Sequence, residues 1–152
     1  MAPGSRYFNM AEYLHFDRLT VEDFSEKNIE AMYDKGYVFT RRGKCMMDQT
    51  RSVRIDVAKF ELSSENRRIL KKNEELKIEK IALPYQNYSW QIGKLAKDFY
   101  DTKFGEGTFS AYKIKELLTD EKKSNFNLLL KYIKDRIEGY AISYESKNIL
   151  HY

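Results

Sequence analysis

Several residue types are scarce in this chain, and each scarcity narrows its chemistry. There is a single cysteine, Cys45, among 152 residues. No intramolecular disulfide can form, and a reducing compartment, the cytoplasm, is the expected location. The only two histidines, His15 and His151, sit at opposite ends of the sequence, so no compact His/Cys metal site is expected. No apolar run approaches the roughly 20 residues of a membrane span. The first six residues, Met1-Ala-Pro-Gly-Ser-Arg6, lack the apolar centre of a signal peptide. The expectation is a cytoplasmic chain with no membrane, metal or cofactor partner.

What remains is ordinary in bulk and unusual in detail. Hydrophobic residues make up 42% and charged residues 33%, which separates the chain from disordered tails and allows a real core. Aromatics are abundant, with 12 Tyr and 9 Phe. Tyrosine combines apolar area with a polar tip, and its placement here favours half-buried strand packing over a stacking surface.

The pattern predicts a helix over residues 20–35, with Thr20 as cap and Gly36 as terminator. A short strand over 37–40 leads into a turn at Gly43. The alternation of Val53, Ile55 and Val57 with Arg54, Asp56 and Ala58 predicts a half-buried strand over 53–60. Either Ser63 or Ser64 caps a helix running through Asn73. A strand follows over 76–83, stopping at Pro84. Helices are expected from Ser89 to about Lys103 and from Ser110 to about Leu118. Residues 125–133 are ambiguous between helix and strand, and 138–145 with 148–152 form a hairpin around Ser146-Lys147. Residues 1–152 read as one unit, with 1–50 as a helical lead-in and 51–152 as the principal portion. The sequence ends at His151-Tyr152 within an expected strand, so strand-edge association, an oligomer, or an incomplete domain is anticipated.

The charge is localised. Residues 35–73 carry eleven Lys/Arg against four acids, a local +7 in a chain whose total is +4. Arg67 and Lys71 are four apart, as are Arg68 and Lys72, so the four share one broad face of the expected helix. Like charges at that spacing repel, and an anionic partner removes the repulsion. A solvated surface balanced by Glu74 and Glu75 is the alternative. With Arg41, Arg42, Arg51 and Arg54 nearby, the cluster reads as a candidate anion-binding track.

Other constellations are weaker. Glu74-Glu75 and Asp120-Glu121 are adjacent carboxylates whose side chains diverge on a helix. Gly105-Glu-Gly107 lacks the context of a dinucleotide loop and reads as a turn. Cys45, beside Lys44 and Arg42, reads as an unreactive thiol. Trp90, Phe99, Tyr100 and Phe104 form a stripe suited to core packing.

The stretch Arg54-Ile-Asp-Val-Ala-Lys-Phe60-Glu-Leu-Ser63-Ser-Glu-Asn-Arg67-Arg68-Ile-Leu-Lys71-Lys72-Asn73 resembles a segment of the arginyl-tRNA–protein transferases. The likeness lies in an Arg and hydrophobic run ending in Phe, then Ser, then a double Arg and two more basic residues. Tyr33-Asp-Lys-Gly-Tyr37 and Arg41-Arg42-Gly43 fit the approach to that segment, and residues 139–152 are similar to a hairpin of the catalytic region. Family members usually carry cysteines before this stretch, whereas residues 45–50 here retain one thiol, so no metal or cluster is implied. The resemblance implies an α+β fold with a GNAT-like mixed sheet flanked by helices, incomplete at the C-terminus. It implies transfer of an arginyl or related aminoacyl group from an aminoacyl-tRNA to an acceptor protein N-terminus. That reaction needs positioning and oxyanion stabilisation rather than a nucleophilic triad, and no catalytic residue is assigned. The tRNA end would meet Arg54, Arg67, Arg68, Lys71 and Lys72, extended by Arg41, Arg42 and Arg51. Two alternatives stand beside it: a non-catalytic basic α/β module binding RNA or a protein partner, and an acyl-CoA-dependent N-acetyltransferase. The latter is disfavoured because no Gly-rich pyrophosphate loop is present.

Overall fold

The computed structural model describes residues 15–152; the reading of Met1–Arg6 lies outside them. The fold is α+β, built from seven strands and four α-helices among the described residues. The order is β1 (His15–Thr20), α1 (Glu26–Asp34), β2 (Tyr37–Phe39), β3 (Met46–Thr50), α2 (Ser64–Lys72), β4 (Lys77–Ala82), α3 (Trp90–Phe104), α4 (Ala111–Thr119), β5 (Leu128–Ile133), β6 (Ile137–Glu145) and β7 (Leu150–His151). One sheet has the order β1-β3-β2 and the other β4-β5-β6-β7. Every pairing is antiparallel, so the expected mixed sheet is corrected to two antiparallel ones. Hairpins join β2 to β3, β5 to β6 and β6 to β7, and short connections of this kind force antiparallel neighbours.

The expected helix over 20–35 starts later. Thr20 closes β1 opposite Met46, and Val21 is buried in the core. The cap is Ser25, whose hydroxyl accepts from the Asn28 N–H at 3.4 Å. The Asp23 carboxylate in turn accepts from the Ser25 N–H and hydroxyl, which holds it below the usual carboxylate range. Strand β3 was not legible: Met-Met-Asp-Gln-Thr has little β-branched content, and its Asp48 is buried. That carboxylate is met by Arg18 from the neighbouring strand.

The expected strand over 53–60 is also corrected. Residues 51–56 are irregular and Val57–Lys59 form a 3-10 turn, with Asp56 accepting from the Ala58 N–H at 3.1 Å. Val53 is 91% exposed and Val57 82%. The strand just before it, β3, already has neighbours on both edges, so the alternating segment finds no ladder there. The ambiguity over 125–133 resolves as strand: Leu128, Leu129 and Leu130 lie in the middle of the second sheet and are all buried.

Two packed clusters hold the fold. Val21, Ile29, Phe39, Met47, Leu117 and Phe126 form one, against the first sheet and α1. Ile92, Ile114, Leu118 and Leu129 form the other, where α3 and α4 cover the second sheet. Leu83, Phe109 and Ile142 pack against both. Gly93 sits where α3 approaches Ala111 at the start of α4, and a Cβ there would collide with the Tyr88 hydroxyl. Tyrosines such as Tyr33, Tyr140 and Tyr144 are half-buried on this framework, as their amphipathic character suggests.

Candidate anionic-partner surface and adjoining clefts

Helix α2 is set by its own sequence. Ser63 accepts from the Asn66 N–H at 3.1 Å, and the Asn66 side chain accepts from the Ser63 N–H at 2.9 Å. This reciprocal pair satisfies two N-terminal donors and fixes the start of the helix. Asn73 ends it, its side chain donating to the Ile69 carbonyl. The helix buries no residue. Ile69 and Leu70 are 45% and 56% exposed, and Phe60 and Leu62 before it are also exposed. A helix that buries nothing relies on caps and local pairs for its stability.

Its cations differ in availability. Lys71 and Lys72 occupy the last turn, where the helix dipole favours positive charge. Neither makes an ion pair among the described residues. Arg67 donates to the Leu62 carbonyl at 2.5 Å. Arg68 grips Glu65 at two points, 2.7 and 2.5 Å, and this contact lowers the pKa of Glu65 and raises that of Arg68.

The other expected contacts are dispersed. Arg54 pairs with Asp34 at the end of α1. Arg42 and Arg51 are exposed and make no ion pair among the described residues. Arg41 is half-buried: its guanidinium lies 5.4 Å over the Phe126 ring and donates to the Ile142 carbonyl at 3.4 Å. The loop carrying it is pinned by Asn125, which accepts from the Cys45 N–H at 2.6 Å and donates to the carbonyls of Gly43 and Thr40 at 2.7 and 3.4 Å. The structure thus gathers Arg67, Arg68, Lys71 and Lys72 on one helix and turns Arg41 toward the interior.

Two clefts adjoin these elements. One, of about 420 Å³, lies between the end of α2 and the β5–β6 turn, with Lys72, Asn73, Tyr132 and Lys134 around it. Lys134 pairs with Glu75 at 2.8 Å and holds its carboxyl below the usual range. The second, of about 450 Å³, is largely apolar and runs between α3 and β6, past Leu95, Phe99, Tyr100 and Ile142, with Arg41 at its wall. Glu138 and Gly139 border both. Sequence reasoning did not single out Glu138, because only the long-range placement of α2 and α3 on either side of β6 gives it this position. Among the described residues no cluster of His, Cys, Asp and Glu has the composition of a metal site, and no helix is long and apolar enough to cross a membrane.

The surface can attract phosphates through four clustered cations, and the two clefts can receive groups from either side of Glu138. Comparison with protein-family models, curated proteins and solved structures gives no match for this chain.

Proposed function

We propose that this chain is an aminoacyl-tRNA-dependent protein transferase-like domain, or part of one, whose α2 meets the acceptor end of an aminoacyl-tRNA. The observation that carries the reading is a self-capped helix that buries none of its residues and displays Arg67, Arg68, Lys71 and Lys72 to solvent. A helix so placed presents its charge without having to detach from a core. Lys72 also borders the cleft leading to Glu138, so a strand held by α2 has a nearby recess for its terminal nucleoside and ester. The transfer chemistry itself rests on the resemblance of residues 54–73 to the arginyl-tRNA–protein transferases. Location in the cytoplasm is part of the same proposal.

The test is binding of aminoacyl-tRNA over a range of salt concentrations, with transfer to a model peptide amine followed in parallel. Phosphate binding weakens as salt rises, and removing one phosphate-bound cation lowers the magnitude of the log–log slope by about one. Lys71→Ala with Lys72→Ala should flatten the slope by about two. An unchanged slope in that double variant, and in the Arg67→Ala, Arg68→Ala pair, overturns the assignment. Retained binding without transfer selects the non-catalytic RNA-binding module.

A further inference from the structure

Two features of the described residues match each other. The first is the outer edge of β6. On one side β6 pairs with β5 along its length, but on the other, among the described residues, β7 covers only Tyr144 and Glu145. The Ser143 carbonyl accepts from the Asn127 N–H, toward β5. Alternation along an antiparallel strand then turns the backbone groups of Ile142 and Tyr140 outward. Arg41 donates to the Ile142 carbonyl at 3.4 Å, on the side where a neighbouring strand's N–H would bond. Beside this edge lies the apolar cleft, whose Leu95 and Phe99 are 45% and 56% exposed.

The second feature is the segment from Val53 to Val57. It has the alternation of a half-buried strand, yet Val53, Ile55 and Val57 all face water. Asp56 already has extended backbone angles, φ −79° and ψ 101°. Five residues of strand cover about 17 Å, the span of the β6 edge from Glu138 to Ile142.

We propose that residues 53–57 of one copy add as a strand to the outer edge of β6 in a second copy, with Val53, Ile55 and Val57 over the apolar cleft. Arg54 and Asp56 then point to the opposite face and stay solvated. Main-chain hydrogen bonds supply the pairing and the alternate apolar side chains supply its register. A second copy is favoured over a foreign peptide because this chain itself carries the strand-patterned segment with its apolar side in water. Reciprocal exchange closes a two-fold dimer. Nothing in this pairing rests on the tRNA reading of α2.

The test uses the full chain and light scattering over a wide concentration range. The expected result is a twofold rise in mass from the 18.1 kDa monomer as concentration increases. Ile55→Asp disables the donated segment and Leu95→Asp the receiving cleft; each alone is expected to remain monomeric, with circular dichroism confirming an intact fold. Phe99→Asp replaces Leu95→Asp if the latter does not fold. Mixing the segment variant with the cleft variant leaves one working interface and restores a dimer. A wild-type chain that stays monomeric throughout overturns the proposal and leaves the edge to a strand from another protein. A dimer that persists in Ile55→Asp also overturns it.

Discussion

Arg18 and Asp48 stand directly opposite each other in the β1–β3 ladder, and their side chains meet at two points, 2.7 and 3.2 Å apart. The Asp48 side chain is largely buried while that of Arg18 is 38% exposed. The asymmetry sets an order of damage. In Asp48→Asn the guanidinium can turn to water, whereas Arg18→Met strips two donors from a buried carboxylate. Arg18→Met should therefore lower the urea midpoint more than Asp48→Asn does, and the reverse order would refute this account.

Asn125 satisfies three backbone groups of the β2–β3 loop from a buried position. Truncation to Ala leaves them without their partner and should cost about 2–4 kcal/mol in denaturant unfolding. Within the same loop Cys45 has φ +66°, a left-handed conformation that disfavours side chains. Cys45→Gly should be neutral or stabilising by up to about 1 kcal/mol, in contrast to glycine substitution within a strand.

His151 is a pH probe for the end of the sheet. Burial, and then the positive charge of Arg41, push its pKa down from 6.5 to about 4. The Tyr33 hydroxyl lies 2.8 Å from its Nδ1, within hydrogen-bond distance, and burial raises the Tyr33 pKa, so that hydroxyl stays protonated. The unfolded chain takes up the histidine proton first as pH falls. The stabilisation is thus complete above pH 6.5 and is lost progressively toward pH 4, by up to about 3 kcal/mol. His151→Gln should flatten the stability profile across that window. An NMR titration placing His151 near its ordinary value would contradict this.

Glu65 competes for Arg68 with any anionic ligand of α2. Glu65→Gln frees the guanidinium, so affinity for a short RNA should rise and its salt dependence should steepen. Fluorescence anisotropy at two salt concentrations measures both. Lower affinity in Glu65→Gln would mean that the pair orients Arg68 for binding rather than withholding it.

The sequence was most informative where one element determines its own structure. The Ser63-Ser64 pair marked the start of α2, Ser110 that of α4, and Ser146-Lys147 the last turn, because caps and turns depend on neighbours a few residues away. It misled at residues 53–60, where alternation is real but no sheet edge among the described residues receives it. Strand β3 was hidden for the converse reason: its buried Asp48 reads as polar until Arg18, thirty residues earlier, is placed opposite. The basic helix face of Arg67, Arg68, Lys71 and Lys72 was legible from spacing alone. Arg41's inward turn was not, since it depends on Phe126 and Ile142.

Leu83, Phe109 and Ile142 touch both packed clusters, so neither cluster can loosen without exposing side chains that the other also needs. The two sheets should consequently melt in one cooperative transition, with fluorescence and circular dichroism tracing the same curve. Truncation of Ile142 should do more than lower the midpoint: it should separate those curves, uncoupling the melting of the β1–β3–β2 sheet from that of β4–β5–β6.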